Sequence, residues 1–254
     1  NLVVFGAEMP PLSAWLRIFS LPSLFSIVVT LAALYWISRS SLSVRLEAEP
    51  AQIRLSSSGR LAGYGLIFSA AVLIAASAMR IDLGLPTLVA ALIALALVII
   101  RDRGALGGVI REVSWSVLPL VAGLFVIVEA VNRAGALQLA HDALIGTARL
   151  VPTLGRVVSA FGVAAVANLM NNLPVGLAGG AALRHDGIPA SIAHSVLIGV
   201  DLGPNLSVTG SLATILWLIA LRREGINVSA WQFLKAGMVV MPFALFAAAL
   251  VAGI

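Results

Sequence analysis

The fold is decided by the stretch Asp201-Leu202-Gly203-Pro204-Asn205-Leu206-Ser207-Val208-Thr209-Gly210-Ser211. It interrupts a segment, at about 189–221, that is otherwise apolar enough to cross a bilayer. Proline removes a backbone donor and glycine loosens the backbone, so a membrane helix must unwind there. Unwound backbone persists at membrane depth only where protein or a water-filled cavity surrounds it. A broken helix of this kind is typical of a transport site.

The composition of the chain indicates its class. Of its 254 residues, 60% are hydrophobic and only 11% are charged. A soluble domain of this length carries more charge, so the sequence predicts an all-α polytopic membrane protein in contact with membrane lipid. The chain has 16 Lys and Arg against 11 Asp and Glu. The basic residues lie between apolar runs, where they act as topology signals, and we expect no nucleic-acid partner.

Several classes of function are excluded by residues and motifs that the sequence lacks. The chain has no Cys, which excludes disulfides, thiolate metal sites and cysteine catalysis. Its three His have no paired spacing, so we expect no metal site. The sequence contains no Walker motif, nucleophile elbow or dinucleotide fingerprint. We therefore expect a membrane transporter without a cofactor, neither an enzyme nor an ATP-driven pump in itself.

The apolar regions predict the membrane spans. Six runs are long enough to cross, at about 14–37, 61–79, 84–100, 115–131, 189–221 and 231–254. A seventh region, at about 152–183, is interrupted by Asn168, Asn171, Asn172 and Pro174. The interruption leaves two arms that we expect to be too short to cross comfortably. This pattern predicts a re-entrant hairpin, whose tip must be surrounded by protein or water.

The charged connectors predict the orientation in the membrane. Arginines are concentrated in three connectors that alternate threading of the spans puts on one side, at 38–60, 101–114 and 222–225. Loops rich in Lys and Arg stay in the cytoplasm. We therefore expect this side to be cytoplasmic and the protein to lie in the cytoplasmic (inner) membrane. Residues 38–60 form the only linker-like stretch.

A short internal repeat predicts the architecture. Asn1-Leu2-Val3-Val4-Phe5-Gly6 shares Asn, Leu, Val and Gly in register with Asn205-Leu206-Ser207-Val208-Thr209-Gly210. A Trp and an apolar helix follow each copy, and the threading gives these two helices opposite orientations. Similar sequences in opposite orientation are typical of inverted-repeat secondary transporters.

The repeat divides the chain into three parts. We expect 1–37 to end a first repeat, as the second part of its broken helix plus its last helix. We expect 38–60 to be a cytoplasmic linker and 61–254 to form the second repeat, with its hairpin at about 152–183 and its broken helix at about 189–221. The rest of the first repeat would then precede residue 1 or come from another polypeptide.

The predicted hairpin tip carries the first candidate site. Asn171, Asn172 and Pro174 suit a turn. The side-chain amides of Asn168, Asn171 and Asn172 can donate and accept hydrogen bonds at once. Polar residues at membrane depth are costly without a use, which favours a tip that faces a small polar solute. The alternative is that these Asn residues only cap the two arms of the hairpin.

The helix break carries the second candidate site, at Gly203, Asn205, Ser207, Thr209 and their neighbours. A half-helix that starts near Asn205 would point free N–H groups and its positive dipole end into the break. Such an end suits an oxygen-rich or anionic solute. The alternative is that the Ser and Thr hydroxyls only satisfy the backbone around a proline kink.

Two ionisable residues beside the break are candidates for proton coupling. Asp201 could take up the proton of an antiport cycle or hold a cation against freed carbonyls. Its alternative is a helix cap or a buried pair with an Arg. His194, two turns earlier, is a second proton-relay candidate, although a His between helices is more often simply hydrogen-bonded.

Three motifs together resemble those of a known family: Asn171-Asn172-Leu173-Pro174, Asp201-Leu202-Gly203-Pro204-Asn205 and Gly210-Ser211-Leu212-Ala213-Thr214-Ile215-Leu216-Trp217. They are similar to those of the arsenite/antimonite efflux permeases, a family in the ion-transporter superfamily. The resemblance covers roughly 115–254, and 1–37 resembles the end of the family's first half. It implies two inverted repeats, each with a re-entrant hairpin and a discontinuous helix, around a central site.

The resemblance also implies a site and a function. Asn171 and Asn172 would meet Asn205 and Ser207, and Asn1 would be the first-repeat counterpart of Asn205. The solute would be a trivalent arsenic or antimony oxyacid, exported at the expense of the proton gradient. The absence of Cys is compatible with reversible binding through amides and hydroxyls. Some relatives associate with a separate ATPase subunit, and the sequence leaves that association and the oligomeric state open.

Two other functions stay open at the level of sequence. A sodium- or proton-coupled carrier of dicarboxylates or cations would have the same architecture. It would need an anion-pairing cation or more carboxylates at the breaks, and the sequence shows neither. A membrane scaffold that transports nothing would tolerate replacement of Asn172 or Asn205.

Overall fold

The computed structural model describes residues 2–5, 10–42, 56–113, 115, 117–185 and 187–252, and this part of the chain contains helices and turns but no strand. The α-helices within it are α1 Leu2–Phe5, α2 Leu12–Leu42, α3 Ser57–Ala78, α4 Gly84–Arg101, α5 Ala105–Glu112, α6 Val117–Arg133, α7 Ala136–Ala148, α8 Pro152–Met170, α9 Asn172–Leu183, α10 Ala190–Leu202, α11 Leu212–Arg223 and α12 Ala230–Val251. The linker predicted at 38–60 lies mostly outside the described residues, since α2 ends at Leu42 and α3 begins at Ser57.

The long apolar helices confirm the predicted class. In the described residues, α2, α3, α4, α8 and α12 are each long and apolar enough to cross a membrane. Helices α6 and α7 pass the same test together, as one span bent by 74°. The chain is therefore an all-α, multi-pass membrane protein.

Helix α7 is absent from the predicted spans, and its sequence explains why. It has 13 residues and carries Gln138, His141 and Asp142, so no apolar run there is long enough to cross. The bend that separates it from α6 falls at Gly135, whose φ of 88° is a left-handed conformation that glycine adopts without strain.

Contacts divide the chain into two units. The smaller unit comprises Pro10–Trp15 and Arg45–Pro119, and the larger comprises Asn1–Met9, Leu16–Val44 and Leu120–Ile254. In the smaller unit α3 packs closely on α4, since a Cβ added to Gly65 would lie 2.7 Å from the Cβ of Ala94. Small residues at such a crossing let membrane helices approach each other.

The core of the larger unit forms around α8. Helix α10 packs on it so closely that a Cβ added to Gly199 would lie 2.5 Å from the carbonyl oxygen of Ala160. Arg156 of α8 binds the C-terminal end of α12, donating from Nε to the Ala249 carbonyl (3.3 Å) and from Nη2 to the Leu250 carbonyl (3.0 Å). An arginine in this place satisfies free carbonyls and complements the helix dipole.

The apolar region at 152–183 forms two helices, α8 and α9, that are separated by Asn171 alone. The first arm is longer than predicted: its 19 residues rise about 28 Å and are apolar enough to cross. Asn171 makes the turn with φ 79° and ψ 149°, a conformation close to one that only glycine adopts readily. Its Oδ1 accepts a hydrogen bond from the Leu173 N–H at 3.2 Å, which caps α9.

The start of the chain packs against the second arm of this hairpin. Val4 in α1 is buried, and a Cβ on Gly180 of α9 would collide with the Val4 carbonyl. Asn1 and Gly6, which define the ends of the short repeat, lie outside the described residues. The inverted repeat across 1–37 and 61–254 therefore stays a prediction.

A pair of glycine substitutions tests the packing of α8 on α10. In Gly199→Ala the new methyl group would overlap the Ala160 carbonyl, and overpacking of this kind costs about 1–3 kcal/mol of unfolding free energy. Gly162→Ala is the matched control, because no atom lies within 4 Å of its added Cβ. The control should gain about 0.5–1 kcal/mol from helix propensity. Thermal unfolding in detergent measures both, and equal midpoints would contradict the close contact.

A second pair of variants tests the strained turn at Asn171. Both Asn171→Gly and Asn171→Ala lose the side-chain hydrogen bonds, but only glycine relieves the backbone strain. We therefore expect Asn171→Gly to be more stable than Asn171→Ala by about 1–3 kcal/mol. Denaturant unfolding in detergent gives the difference. The conformation assigned to Asn171 is wrong if the alanine variant is as stable as the glycine variant.

Candidate functional site

The helix break occupies residues 203–211. Helix α10 ends at Leu202, and two short 3₁₀ turns follow, Gly203–Leu206 and Val208–Gly210. Ser207 and Ser211 have extended backbones, so each ends the turn before it. Helix α11 begins at Leu212 rather than near Asn205, and Ser211 caps it by accepting from the Ala213 N–H at 3.2 Å. The N–H groups of this half-helix therefore lie further along the chain than the sequence predicts.

Side chains from the hairpin hold the break in place. Asn168, near the end of α8, donates from Nδ2 to the Gly203 carbonyl at 2.8 Å. Asn171 at the turn donates from Nδ2 to the Thr209 carbonyl at 3.2 Å. In return the Thr209 hydroxyl donates to the Asn168 carbonyl at 2.9 Å. Three backbone carbonyls in the two interrupted helices thus find donors inside the protein, as the apolar surroundings require.

Ser207 completes this network. Its hydroxyl donates to Oδ1 of Asn168 at 2.7 Å and lies 3.1 Å from the Thr209 hydroxyl. Asn168 therefore brings together three of the predicted site residues, Gly203, Ser207 and Thr209, and a fourth, Asn171, joins them through the Thr209 carbonyl. The structure gives Asn168 a larger part than the resemblance implies, since it makes three hydrogen bonds with residues of the break that lie 35 to 41 positions away in the sequence.

Glycines allow the close approach that these bonds need. A Cβ on Gly203 would lie 2.6 Å from Cα of Ala164, and one on Gly210 would lie 2.9 Å from Oδ1 of Asn168. Gly237 likewise lets α12 approach the break closely, since an added Cβ there would lie 2.6 Å from the Asn205 carbonyl oxygen. The sequence indicates a role at the break for Gly203 but not for Gly237, because the residues that Gly237 approaches are about 30 positions away in the sequence.

Two predicted site residues have side-chain amides that make no hydrogen bond within the described part of the protein. The side chains of Asn172 and Asn205 make no hydrogen bond with any residue in the described ranges. Asn205 is exposed, and Asn172 is partly buried in the first turn of α9. Each amide offers two N–H donors and one acceptor oxygen. Asn172 follows the hairpin turn directly, whereas Asn205 lies in the middle of the first 3₁₀ turn.

The two candidates for proton coupling lie on α10 but not together. Asp201 is in the last turn of α10, two residues before Gly203, and its side chain is exposed. His194 is roughly 10 Å further back along the helix axis. Its ring packs edge-on against Phe19 of α2, with 5.3 Å between the ring centroids. Its buried Nδ1 has no hydrogen-bond partner in the described part of the protein. The structure therefore places Asp201 at the break and His194 away from it.

Pro174 lies in the first turn of α9 and lines a separate, apolar cavity of about 420 Å³. Helices α6 to α10 line this half-open cavity, and its lining includes only three polar side chains, Asn132, Thr147 and Ser159. The Thr147 and Ser159 hydroxyls bond each other at 2.7 Å, and Asn132 Oδ1 has no hydrogen-bond donor among the described residues. None of the other predicted site residues lines this cavity. Its lining suits apolar groups rather than a hydroxylated solute.

No metal site is found among the described residues, where no three His, Asp or Glu side chains converge. Asn1, the predicted counterpart of Asn205, lies outside those residues. The described site thus consists of a hydrogen-bonded framework, formed by Asn168, Asn171, Ser207 and Thr209, and two amides beside it that the framework does not use. Such a set of groups can bind a small solute through neutral hydrogen bonds.

Comparison with known proteins shows which sequences the chain resembles. The chain is 31% identical to the arsenical pump membrane protein of Escherichia coli K12 over 171 residues, which is 62% of this chain and 39% of the relative. It is 30% identical to that of Yersinia enterocolitica over 53% of this chain and 32% of the relative. It is also 27% identical to an uncharacterized transporter of Mycobacterium tuberculosis over 56% of this chain and 34% of the relative.

These alignments span about two fifths or less of the length of each relative. No solved structure matches the chain. The model of one protein family, the arsenical pump membrane proteins, matches residues 14–252, and this range includes the hairpin, the break and α12. The chain therefore belongs to the arsenical pump membrane protein family, which confirms the resemblance drawn from its three motifs.

Proposed function

We propose that this chain belongs to a secondary transporter that exports trivalent arsenic and antimony oxyacids across the cytoplasmic membrane, coupled to the proton gradient. The observation that carries the proposal is the pair of side-chain amides, Asn172 and Asn205, that make no hydrogen bond within the described residues, next to a framework whose side chains bind one another and the backbone. The names of the relatives, as arsenical pump membrane proteins, support the choice of solute.

The chemistry of the solute suits these groups. At neutral pH arsenite is chiefly a neutral molecule that carries hydroxyl groups. An amide can accept from one hydroxyl and donate to another oxygen of the same solute. Each neutral hydrogen bond contributes only about 0.5–1.5 kcal/mol net, so a solute held this way is also released. The chain has no Cys, whose thiolates would bind arsenic far more tightly.

The alternative carriers of the superfamily find less support at this site. A dicarboxylate needs a cation, and the tip and break, at 168–175 and 203–211, contain no Lys or Arg. A cation held by freed carbonyls would compete with protein donors, since the carbonyls of Asn168, Gly203 and Thr209 already accept hydrogen bonds. Neither observation favours the sodium-coupled alternative.

The position of Asp201 supports proton coupling. It is the carboxylate next to the break, its side chain is exposed, and it is joined to Gly203 by one residue. Protonation and release there would change the charge beside the solute within each cycle. The cycle needs no ATP, and an association with a separate ATPase subunit stays a prediction of the family resemblance.

Transport measurements test the two amides. Everted vesicles from cells that express the full-length protein should accumulate arsenite, and Asn172→Ala and Asn205→Ala should each raise its KM about 2- to 10-fold. That range corresponds to one lost neutral hydrogen bond. Gln138→Ala is the control, because Gln138 is exposed on α7 and bonds only Asp142. Unchanged KM in both Asn variants would refute the site, and no uptake by the unaltered protein would refute the function.

The coupling ion is tested by imposing gradients on the same vesicles. An acid interior should drive arsenite uptake, and Asp201→Asn should abolish that response because the amide cannot take up the proton. Asp142→Asn is the matched control, since this exposed carboxylate on α7 accepts a hydrogen bond only from Gln138. Replacement of sodium by choline should change nothing. Uptake that follows sodium instead would favour the alternative carrier.

A further inference from the structure

Both polar atoms of the Asn168 side chain make hydrogen bonds within the protein. Its Nδ2 donates to the Ala164 carbonyl and to the Gly203 carbonyl, both at 2.8 Å. Its Oδ1 accepts from the Ser207 hydroxyl at 2.7 Å. An amide nitrogen has two N–H donors, so Asn168 has none left for a solute. In this it differs from Asn172 and Asn205.

The two residues of the break that the Asn168 side chain binds lie on either side of Asn205 in the sequence. Gly203 lies two residues before Asn205, and Ser207 lies two residues after it. The Asn168 side chain therefore holds both ends of the short turn that contains Asn205 through hydrogen bonds. The backbone carbonyl of Asn168 adds a third attachment by accepting from the Thr209 hydroxyl. Asn172 lies only four residues after Asn168, just past the hairpin turn.

The surroundings leave Asn168 little freedom. A Cβ on Gly210 would lie 2.9 Å from Asn168 Oδ1, and a Cβ on Gly203 would lie 2.6 Å from Cα of Ala164 in the preceding turn of α8. A longer side chain would have to displace the break. An Asp has the shape of Asn but loses both donors and would face the carbonyls of Ala164 and Gly203 with a second oxygen.

We propose that Asn168 is a positioning residue that fixes the Asn205 amide relative to Asn172 and does not itself bind the solute. The proposal rests on the proposed function, because it assigns the solute to those two amides. The three Asn residues then have two different roles. Asn168 sets the geometry of the site, whereas Asn172 and Asn205 use that geometry.

The kinetic test is a double-mutant cycle on the KM for arsenite. If Asn168 acts through Asn205, Asn168→Ala should raise KM about as much as Asn205→Ala, and the double variant should be no worse than either one. In the double variant of Asn168→Ala and Asn172→Ala, the two increases in KM should multiply, because Asn168 does not act through Asn172. Ser207→Ala removes one of the pinning bonds and should give a smaller rise. Effects that multiply with both Asn172→Ala and Asn205→Ala would show that Asn168 is a ligand and overturn the proposal.

A second readout needs no transport and stays valid if the proposed function fails. The 254 residues contain no Cys, so N205C and N172C each introduce one thiol that a maleimide can label. Asn168→Ala or Asn168→Asp should change the labelling rate of N205C at least threefold and that of N172C less than twofold. Asn132→Ala is the matched control, because Asn132 lies on α6 and its Oδ1 has no bonding partner among the described residues. Unchanged labelling of N205C in both Asn168 variants would overturn the proposal.

Discussion

A backbone carbonyl released by a helix break needs a new hydrogen-bond donor, and the arrangement around the site follows from that constraint. Here the interrupted helices release carbonyls at Gly203 and Thr209, and amides from the neighbouring hairpin satisfy both. The bonds require α8 and the break to be close, and the close approach requires glycine at 203 and 210. One electrostatic requirement thus accounts for the polar residues, the glycines and the packing together.

The same constraint separates the polar groups by what they bind. Asn168, Asn171, Ser207 and Thr209 satisfy the backbone and one another, which was the alternative interpretation of these residues at the level of sequence. Asn172 and Asn205 have no such partners in the described structure. The structural interpretation therefore holds for the first four residues, and solute binding by Asn172 and Asn205 stays a proposal.

The sequence predicts the points of interruption well, because the signals there are local. A Gly-Pro pair in an apolar run and an Asn-Asn-Leu-Pro turn each act on their own backbone. The sequence does not predict the start of α11 at Leu212, since the 3₁₀ turns before it depend on a bond between Ser207 and a residue 39 positions away. The sequence does not predict the contacts of Gly237 and Asn168 with the break for the same reason, since these contacts join residues that are distant in the sequence. Helix α7 is not predicted because hydropathy detects spans, and a 13-residue helix that carries Gln138, His141 and Asp142 is not one.

The attachment of the break to α8 has a mechanical consequence. Asn168 ties α8 to the break, Gly237 brings α12 against the same turn, and Arg156 ties the far end of α12 back to α8. Any displacement that keeps these contacts must carry α8, the break and α12 as one rigid body. A hinge for such a movement cannot lie within that body. It must lie outside these three elements, as does the junction of α6 and α7 at the left-handed Gly135, where the two helices are bent by 74°.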